Sequence, residues 1–305
     1  MKKSPIKKSL RINWQRALVG TASTVMLTLV SCGEGFSVSE SPFICPFAGV
    51  ELTLQIEPPS SEDSVTPELI KQVREVLNAR IEELDSTKAA VVPIESNKIL
   101  IQLEGSSDTA NIEQLLTQTA QLQFRQQRLG TEAQLQIEQQ LRQQLQRERE
   151  ILTQRGDEAA LTENQAAIER SNQAMAFLFE PTTLTGEHLT DVYAQPTQSG
   201  DNWQISIRFD DQGSEDFAQL TQMLAGTGRS IGIFLDEVLI SAPTVGPEYA
   251  ETGITGGVAV IPGNFTLSKA NDLAIQLRSG ALPASIEVVS VQTVENNRCT
   301  TPIEG

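Results

Sequence analysis

The chain has 305 residues, 20% of them charged, with 39 acidic against 23 basic side chains and a formal net charge of −16. That balance excludes a nucleic-acid partner, which needs basic stripes against the phosphate backbone. One histidine and three cysteines, at no metal-ligand spacing, argue against a zinc or redox-metal site, so no metal and no cofactor is expected.

Lys2, Lys3, Lys7, Lys8, Arg11 and Arg16 precede a mostly apolar stretch, Ala17 to Val30. This is a signal-peptide profile, too short and too rich in Thr and Ser for a comfortable membrane span. The stretch closes on Leu29-Val30-Ser31-Cys32, with an apolar residue three before the thiol and a small one just before it, as lipoprotein signals end. Residues 1–31 are therefore expected to be a lipoprotein signal peptide and Cys32 the acylated anchor; the alternative is a Cys32 buried in an uncleaved anchor helix. Acylation would hold the protein on a bacterial envelope membrane, facing the periplasm or an equivalent extracytoplasmic lumen. Loss of residues 1–31 removes six cations and no anion, leaving −22, a charge that keeps a tethered domain soluble and off anionic headgroups. With Cys32 lipidated, Cys45 and Cys299 remain as an even pair in an export compartment and are expected to form a disulfide.

Residues 32–48 read as a tether. Residues 49–57 alternate apolar and polar as a half-buried strand. Thr66-Pro67 opens a helix over 67–84, with Ile70, Val73, Val76, Leu77, Ile81 and Leu84 three and four apart. Strands at 88–94 and 98–103, a helix at 108–118 and a strand-like "TAQLQFRQQ" follow. From 131 to 179 the composition turns to Gln, Glu, Arg and Ala without proline. Ile137, Leu141, Leu145, Ile151 and Leu152 form one stripe, while Leu161, Ile168 and Met175 repeat every seven. Arg155-Gly156-Asp157 breaks the run, which predicts an antiparallel helical hairpin with arms of roughly 30–35 Å. Beyond Pro181, strands are predicted at 203–209, 230–236 and 238–243, a helix at 214–225, extended chain over 252–263, a helix at 268–277 and a last strand at 285–294.

No catalytic constellation is present. The single histidine, His188, reads as a solvated turn residue rather than a general base, and no Gly-x-Ser-x-Gly elbow occurs. "AGTGRSIG" (225–232) lacks the Gly-Lys-Ser/Thr ending of a phosphate loop and lies between a helix and a strand in the wrong order. Asp210-Asp211 and Asp236-Glu237 could hold calcium or act in glycoside chemistry, but as strand-end pairs they read as caps and solubilising groups.

The runs "ARIEEL", "NKILIQLEG", "TAQLQFR", "LTGEHLTDVYA", "IRFDDQGSEDFAQLT", "IGIFLDEVLISAPTV" and "VIPGNFTLSKANDLAIQLRSGALP" stand in one order across 49–294. In that order they resemble the first periplasmic domain of the SecD protein-export family. The resemblance implies a base near the membrane and a mobile head that contacts emerging polypeptide. It places the first segment of the base at 49–121, the head at 122–262 with the helical hairpin 131–179 inside it, the second segment of the base at 263–294 and a C-terminal tail at 295–305. The expected fold is α+β: a split ferredoxin-like (βαββαβ) base whose second helix is 268–277, with an inserted α/β head. Pairing of the first and last strands in such a base would bring Cys45 beside Cys299. The resemblance departs at Phe47-Ala48-Gly49-Val50, where the family has Asp-Leu-x-Gly-Gly, and at the N-terminus, where a lipoprotein-type signal replaces a membrane helix. Lacking the family's membrane helices, the chain is expected not to transduce a proton gradient by itself. The implied role is non-enzymatic assistance of protein export, with SecDF, the Sec translocon and unfolded secreted polypeptides as partners. The rival is an envelope adaptor that binds an unrelated protein through the hairpin.

Overall fold

The structure, a computed structural model, describes Ile44 and residues 47–58, 64–84, 88–105 and 108–297. Cys32, Cys45 and Cys299, with the expected signal peptide, lie outside the described residues.

The first lobe is a four-stranded antiparallel sheet covered by two helices. In β1 (Phe47–Ile56) every second side chain, Val50, Leu52, Leu54 and Ile56, is fully buried, as the period of a strand with one wet face requires. β1 lies between β11 (Ile286–Asn297) and β3 (Lys98–Glu104), and β3 pairs in turn with β2 (Ala89–Glu95), giving the order β11-β1-β3-β2. Pro93 is accommodated because β2 is an edge. Helix α1 (Pro67–Glu82) starts where the Thr66 hydroxyl accepts from the Leu69 N–H at 3.2 Å. It lays Leu69, Val73, Leu77 and Ile81 on the sheet. Helix α2 (Thr109–Thr117), capped by Asp108, adds Ile112 and Leu116 to the same core.

The second lobe is inserted between α2 and β11. One sheet runs β10 (Val258–Phe265), β7 (Trp203–Phe209), β6 (Leu189–Pro196); the other runs β5 (Phe179–Thr185), β4 (Leu122–Gln127), β8 (Ile231–Leu235), β9 (Val238–Ser241). All the described strand pairs in both are antiparallel. Helix α5 (Asp211–Leu224) and the two sheets share a core in which Phe209 packs edge-on against Phe124 and tilted against Phe217, ring centroids 5.5 and 5.3 Å apart. The α5 cap is Asp210, whose carboxylate accepts from the Gly213 N–H at 2.7 Å. Gly213 is needed here, since a Cβ would lie 2.6 Å from the Cβ of His188.

Helix α6 (Leu267–Arg278) corrects the expected layout. The sequence reading gives it to the base, as the second helix of 263–294; instead Ala270, Leu273, Ala274 and Leu277 are buried in the second lobe's core. The physical reason is competition for one face: α2 already covers the first sheet beside α1, while β6 and β7 present an uncovered apolar face to Ala270 and Leu273.

Helices α3 (Glu132–Arg155) and α4 (Glu158–Phe177) leave the second lobe between β4 and β5. Gly156 ends α3 in the left-handed conformation, φ 68°, and Asp157 caps α4. The two helices touch through Asn164 Nδ2 donating to Leu145 O at 3.0 Å and Ser171 Oγ donating to Glu138 at 3.4 Å. Ile168 and Met175 are buried along this seam, and Leu135, Met175, Phe179 and Phe234 anchor its root. Three of the five residues of the expected α3 stripe face elsewhere: Ile137, Leu141 and Ile151 are exposed.

Candidate functional site

Between the two sheets of the second lobe lies an apolar cleft of about 260 Å³. Phe124 of β4 and Ile231 and Ile233 of β8 form one wall, and Ile207 of β7 with Val258 and Val260 of β10 the other. β10 is the outer strand of its sheet, and Val258 and Val260 are 41% and 39% exposed. An edge strand carries unpaired amides and carbonyls along its open side. The arrangement therefore offers an apolar slot beside a backbone able to pair with an extended chain. No ionisable side chain lines it.

The lobes meet where the chain crosses twice, after α2 and after α6. Arg80, on the sheet-facing side of α1, is fully buried. Its guanidinium donates through Nη1 to the carbonyls of Leu115, Leu116 and Gln118 at 2.9, 3.2 and 2.6 Å. It also donates to Ser279 Oγ at 3.3 Å through Nε and to Gly280 O at 3.4 Å through Nη2. One cation thus satisfies the last carbonyls of α2 and reaches the second crossing as well. Burial lowers the Arg80 pKa to about 10, against the opposing pull of Asp236, and leaves it charged at neutral pH. Sequence periodicity carried a signal for this residue: Arg80 stands seven after Val73 and three after Leu77, on the apolar stripe. Arg278 spans the same junction, donating to Val192 O at 3.0 Å and pairing with Glu83 of the first lobe at 2.8 Å.

The single histidine is not a free turn residue. His188 Nδ1 lies 3.3 Å from both carboxylate oxygens of Asp210. The Gly213 N–H, and then His188, hold the Asp210 carboxyl below its ordinary range. Asp216 is lowered chiefly by the Thr183 hydroxyl and then by the Gln212 amide. Among the described residues no group of three or more His, Cys, Asp or Glu side chains could hold a metal ion. Among them also, no helix is long and apolar enough to cross a membrane.

Two family models match the chain in tandem: the N-terminal P1 domain of the protein translocase subunit SecDF over residues 70–128, and the SecDF P1 head subdomain over 159–284. The chain carries a P1 domain of the SecD family. The SecD protein translocase subunit of Synechocystis sp. is 46% identical over 250 residues, covering 81% of this chain and 53% of the relative. That of Prochlorococcus marinus is 30% identical over 274 residues, covering 81% and 56%. The chain thus spans about half the length of these curated relatives. A crystal structure of SecDF in a super-membrane-facing form is similar with a TM-score of 0.60 at 25% identity, covering 84% of this chain and 32% of that one. A structure described as that of a membrane component SecDF that enhances protein export gives 0.58 at 26% identity, covering 80% of this chain and all of the other. The matched P1 head includes α6, in accord with the packing of that helix. All of α3 falls between the two matched segments.

Proposed function

We propose that this chain is a membrane-tethered SecD-type P1 domain that assists protein export by contacting translocating polypeptide or the Sec translocon. The observation that carries the reading is the apolar cleft beside the open edge of β10: it suits an extended, unfolded segment, whose backbone pairs without regard to sequence while apolar side chains enter the slot. Membership of a protein translocase family supports the same role, and the role is one of binding rather than turnover.

In this reading residues 1–31 direct export, the lipid on Cys32 and the tether 32–48 hold the domain at the envelope membrane, and 295–305 form a tail. The first lobe is read as a split βαββαβ base, supported by the order β11-β1-β3-β2 with α1 and α2. A Cys45–Cys299 bond would close it. Helices α3 and α4 are read as the helical hairpin. The exposed Ile137, Leu141 and Ile151 favour a second reading, an adaptor that binds an unrelated envelope partner through this pair.

Photocrosslinkers placed at Val260 in the cleft and at Ile137 on α3 separate the two. Capture of secreted chains in transit at Val260 is expected. Crosslinks to one stable protein through Ile137, with none at Val260, would establish the adaptor in its place.

A further inference from the structure

β9 and β10 are the outer strands of the two second-lobe sheets, and a seam runs between them. Residues 243–245, just after β9, and 258–260 of β10 line the apolar cleft. Residues 239–242 and 263–264 of the same two stretches line a second groove, of about 590 Å³. The seam is therefore apolar at one end of β10 and polar at the other. Helix α3 forms the far wall of the polar end, setting Gln139, Arg142, Gln143 and Gln146 opposite Ser241 and Asn264. The four α3 residues are three and four apart and so share one helix face. Arg142 is the one ionisable side chain in this lining.

That arginine lacks an anion. It is half-buried, and its guanidinium makes one hydrogen bond among the described residues, from Nη1 to Leu239 O at 2.5 Å. Nε is buried without an acceptor. Glu138, one turn earlier on α3, accepts from Ser171 Oγ instead of pairing with it. Burial lowers the Arg142 pKa, and no carboxylate opposes the shift as Asp236 does for Arg80. The bond to Leu239 O seats α3 on β9 but leaves the Nε–Nη2 edge idle, an edge that can take a carboxylate in two parallel bonds. A partly desolvated cation without its counter-charge is costly, although acids outnumber bases along the chain.

We propose that the polar groove is a carboxylate-binding site: Arg142 takes an acidic side chain of an extended polypeptide whose apolar side chain occupies the neighbouring cleft. The glutamines and Asn264, whose amides both donate and accept, serve the peptide groups of that chain. The spacing follows from β10. Val260 lines the cleft and Asn264 the groove, four residues apart or about 13 Å along a strand, so the acidic and apolar residues of the ligand stand about four positions apart. This selectivity rests on the reading of the cleft as a site for unfolded chains.

The test measures fluorescence anisotropy of labelled Gly/Ser peptides on the full chain. Each peptide carries one Val-Leu-Val triplet and, about four residues from its centre, either Glu or Gln. The Glu peptide should bind about tenfold more tightly, the worth of a charge-assisted hydrogen bond. Gln146→Glu, at an exposed position, supplies an acid one turn from Arg142 and should bring the two peptides to equal affinity. Gln144→Glu, which adds the same charge outside the groove, should keep the preference. Arg142→Gln should abolish it; if that variant fails to fold, the two glutamine variants decide. A preference that survives Gln146→Glu, or is lost equally in Gln144→Glu, overturns the assignment to Arg142. Equal binding of the two peptides by the native chain overturns the carboxylate site and leaves the cleft reading standing, whereas binding of neither overturns both. Free glutarate that displaces the Glu peptide as effectively as unlabelled peptide does would make the groove a small-carboxylate site and overturn the polypeptide as its source.

Discussion

Phe47 and Asn297 are backbone partners at one end of the ladder between β1 and β11. Ile44, three residues before Phe47, is still beside the sheet, its N–H donating to Gln102 Oε1 of β3 at 3.0 Å. In sequence, Cys45 lies two residues before Phe47 and Cys299 two residues after Asn297.

The first prediction is a bond between them, with Cα atoms within about 7 Å. The loop closed is about 250 residues, for which chain entropy gives at most roughly 5 kcal/mol. Peptide mapping without reduction should recover the Cys45 and Cys299 peptides joined, and the reduced protein should melt at a lower temperature. Two free thiols in protein taken from the export compartment would reject the pairing.

Cys32 should carry the lipid. Mass spectrometry of the mature N-terminus should find a diacylated cysteine at that position, and Cys32→Ser should be released from membranes or kept as precursor. An unmodified chain beginning at Met1 would exclude it.

Asn164 is buried in the seam between α3 and α4, with Nδ2 bonded to Leu145 O but Oδ1 lacking a partner. A buried acceptor left unpaired costs about 1–3 kcal/mol, so Asn164→Leu, of similar size, should stabilise the helix pair by about 1 kcal/mol, the lower end of that range. Denaturant unfolding followed by hydrogen exchange in α3 and α4 measures it. A clear loss of protection would mean that the asparagine holds the register instead.

Acid should act on the molecule in two opposed ways. Asp210 and Asp216 have folded pKa values below the ordinary 3.8, so their stabilisation is full above 3.8 and is lost as pH falls through the lower folded values. Asp272 is raised by burial, against the hydrogen bonds of Asn111 and Ser268. Its penalty is present at neutral pH and is relieved as pH falls through the raised value. Asp216→Asn should therefore lower the melting temperature at neutral pH and have little effect in strong acid. Asp272→Asn should raise it at neutral pH, again with an effect that fades in acid. Melting curves of both variants across the acid range would expose a wrong sign in either.

Much of the fold was legible because periodicity reports local burial. Alternation in β1 and β3, and the apolar rows of α1 and α5, state which face is inside wherever an element has one wet side. Thr66 with Pro67 marks the start of α1 to the residue, and α6 begins at Leu267, one residue before the predicted 268. The placement of α6 was not legible, since Ala270, Leu273, Ala274 and Leu277 specify an apolar face but not which sheet receives it. β5 and β6 have no legible period: Pro181, Thr182 and Thr183 interrupt one, and the other keeps a single fully buried residue, Val192. At the junction, Arg80 is absent from the sequence reading of α1, although its place on the apolar stripe carries a signal, and Asp236 reads only as a strand-end acid. Its partners lie more than a hundred residues earlier in the chain, beyond the reach of any local pattern.

Leu282 N–H donates to Thr119 O at 2.8 Å, so the chain leaves the first lobe and re-enters it through one doorway. The entropy of closing a loop there grows only with the logarithm of its length, which makes the first lobe nearly indifferent to the size of what is carried. Helices α3 and α4 repeat the plan on a smaller scale, leaving between β4 and β5, where Arg128 N–H donates to Leu178 O at 2.8 Å. The molecule is thus an insertion within an insertion, and each can be treated as a cassette. A different module whose ends approach as closely as Thr119 and Leu282 could be grafted at that doorway with the register of β11-β1-β3-β2 intact.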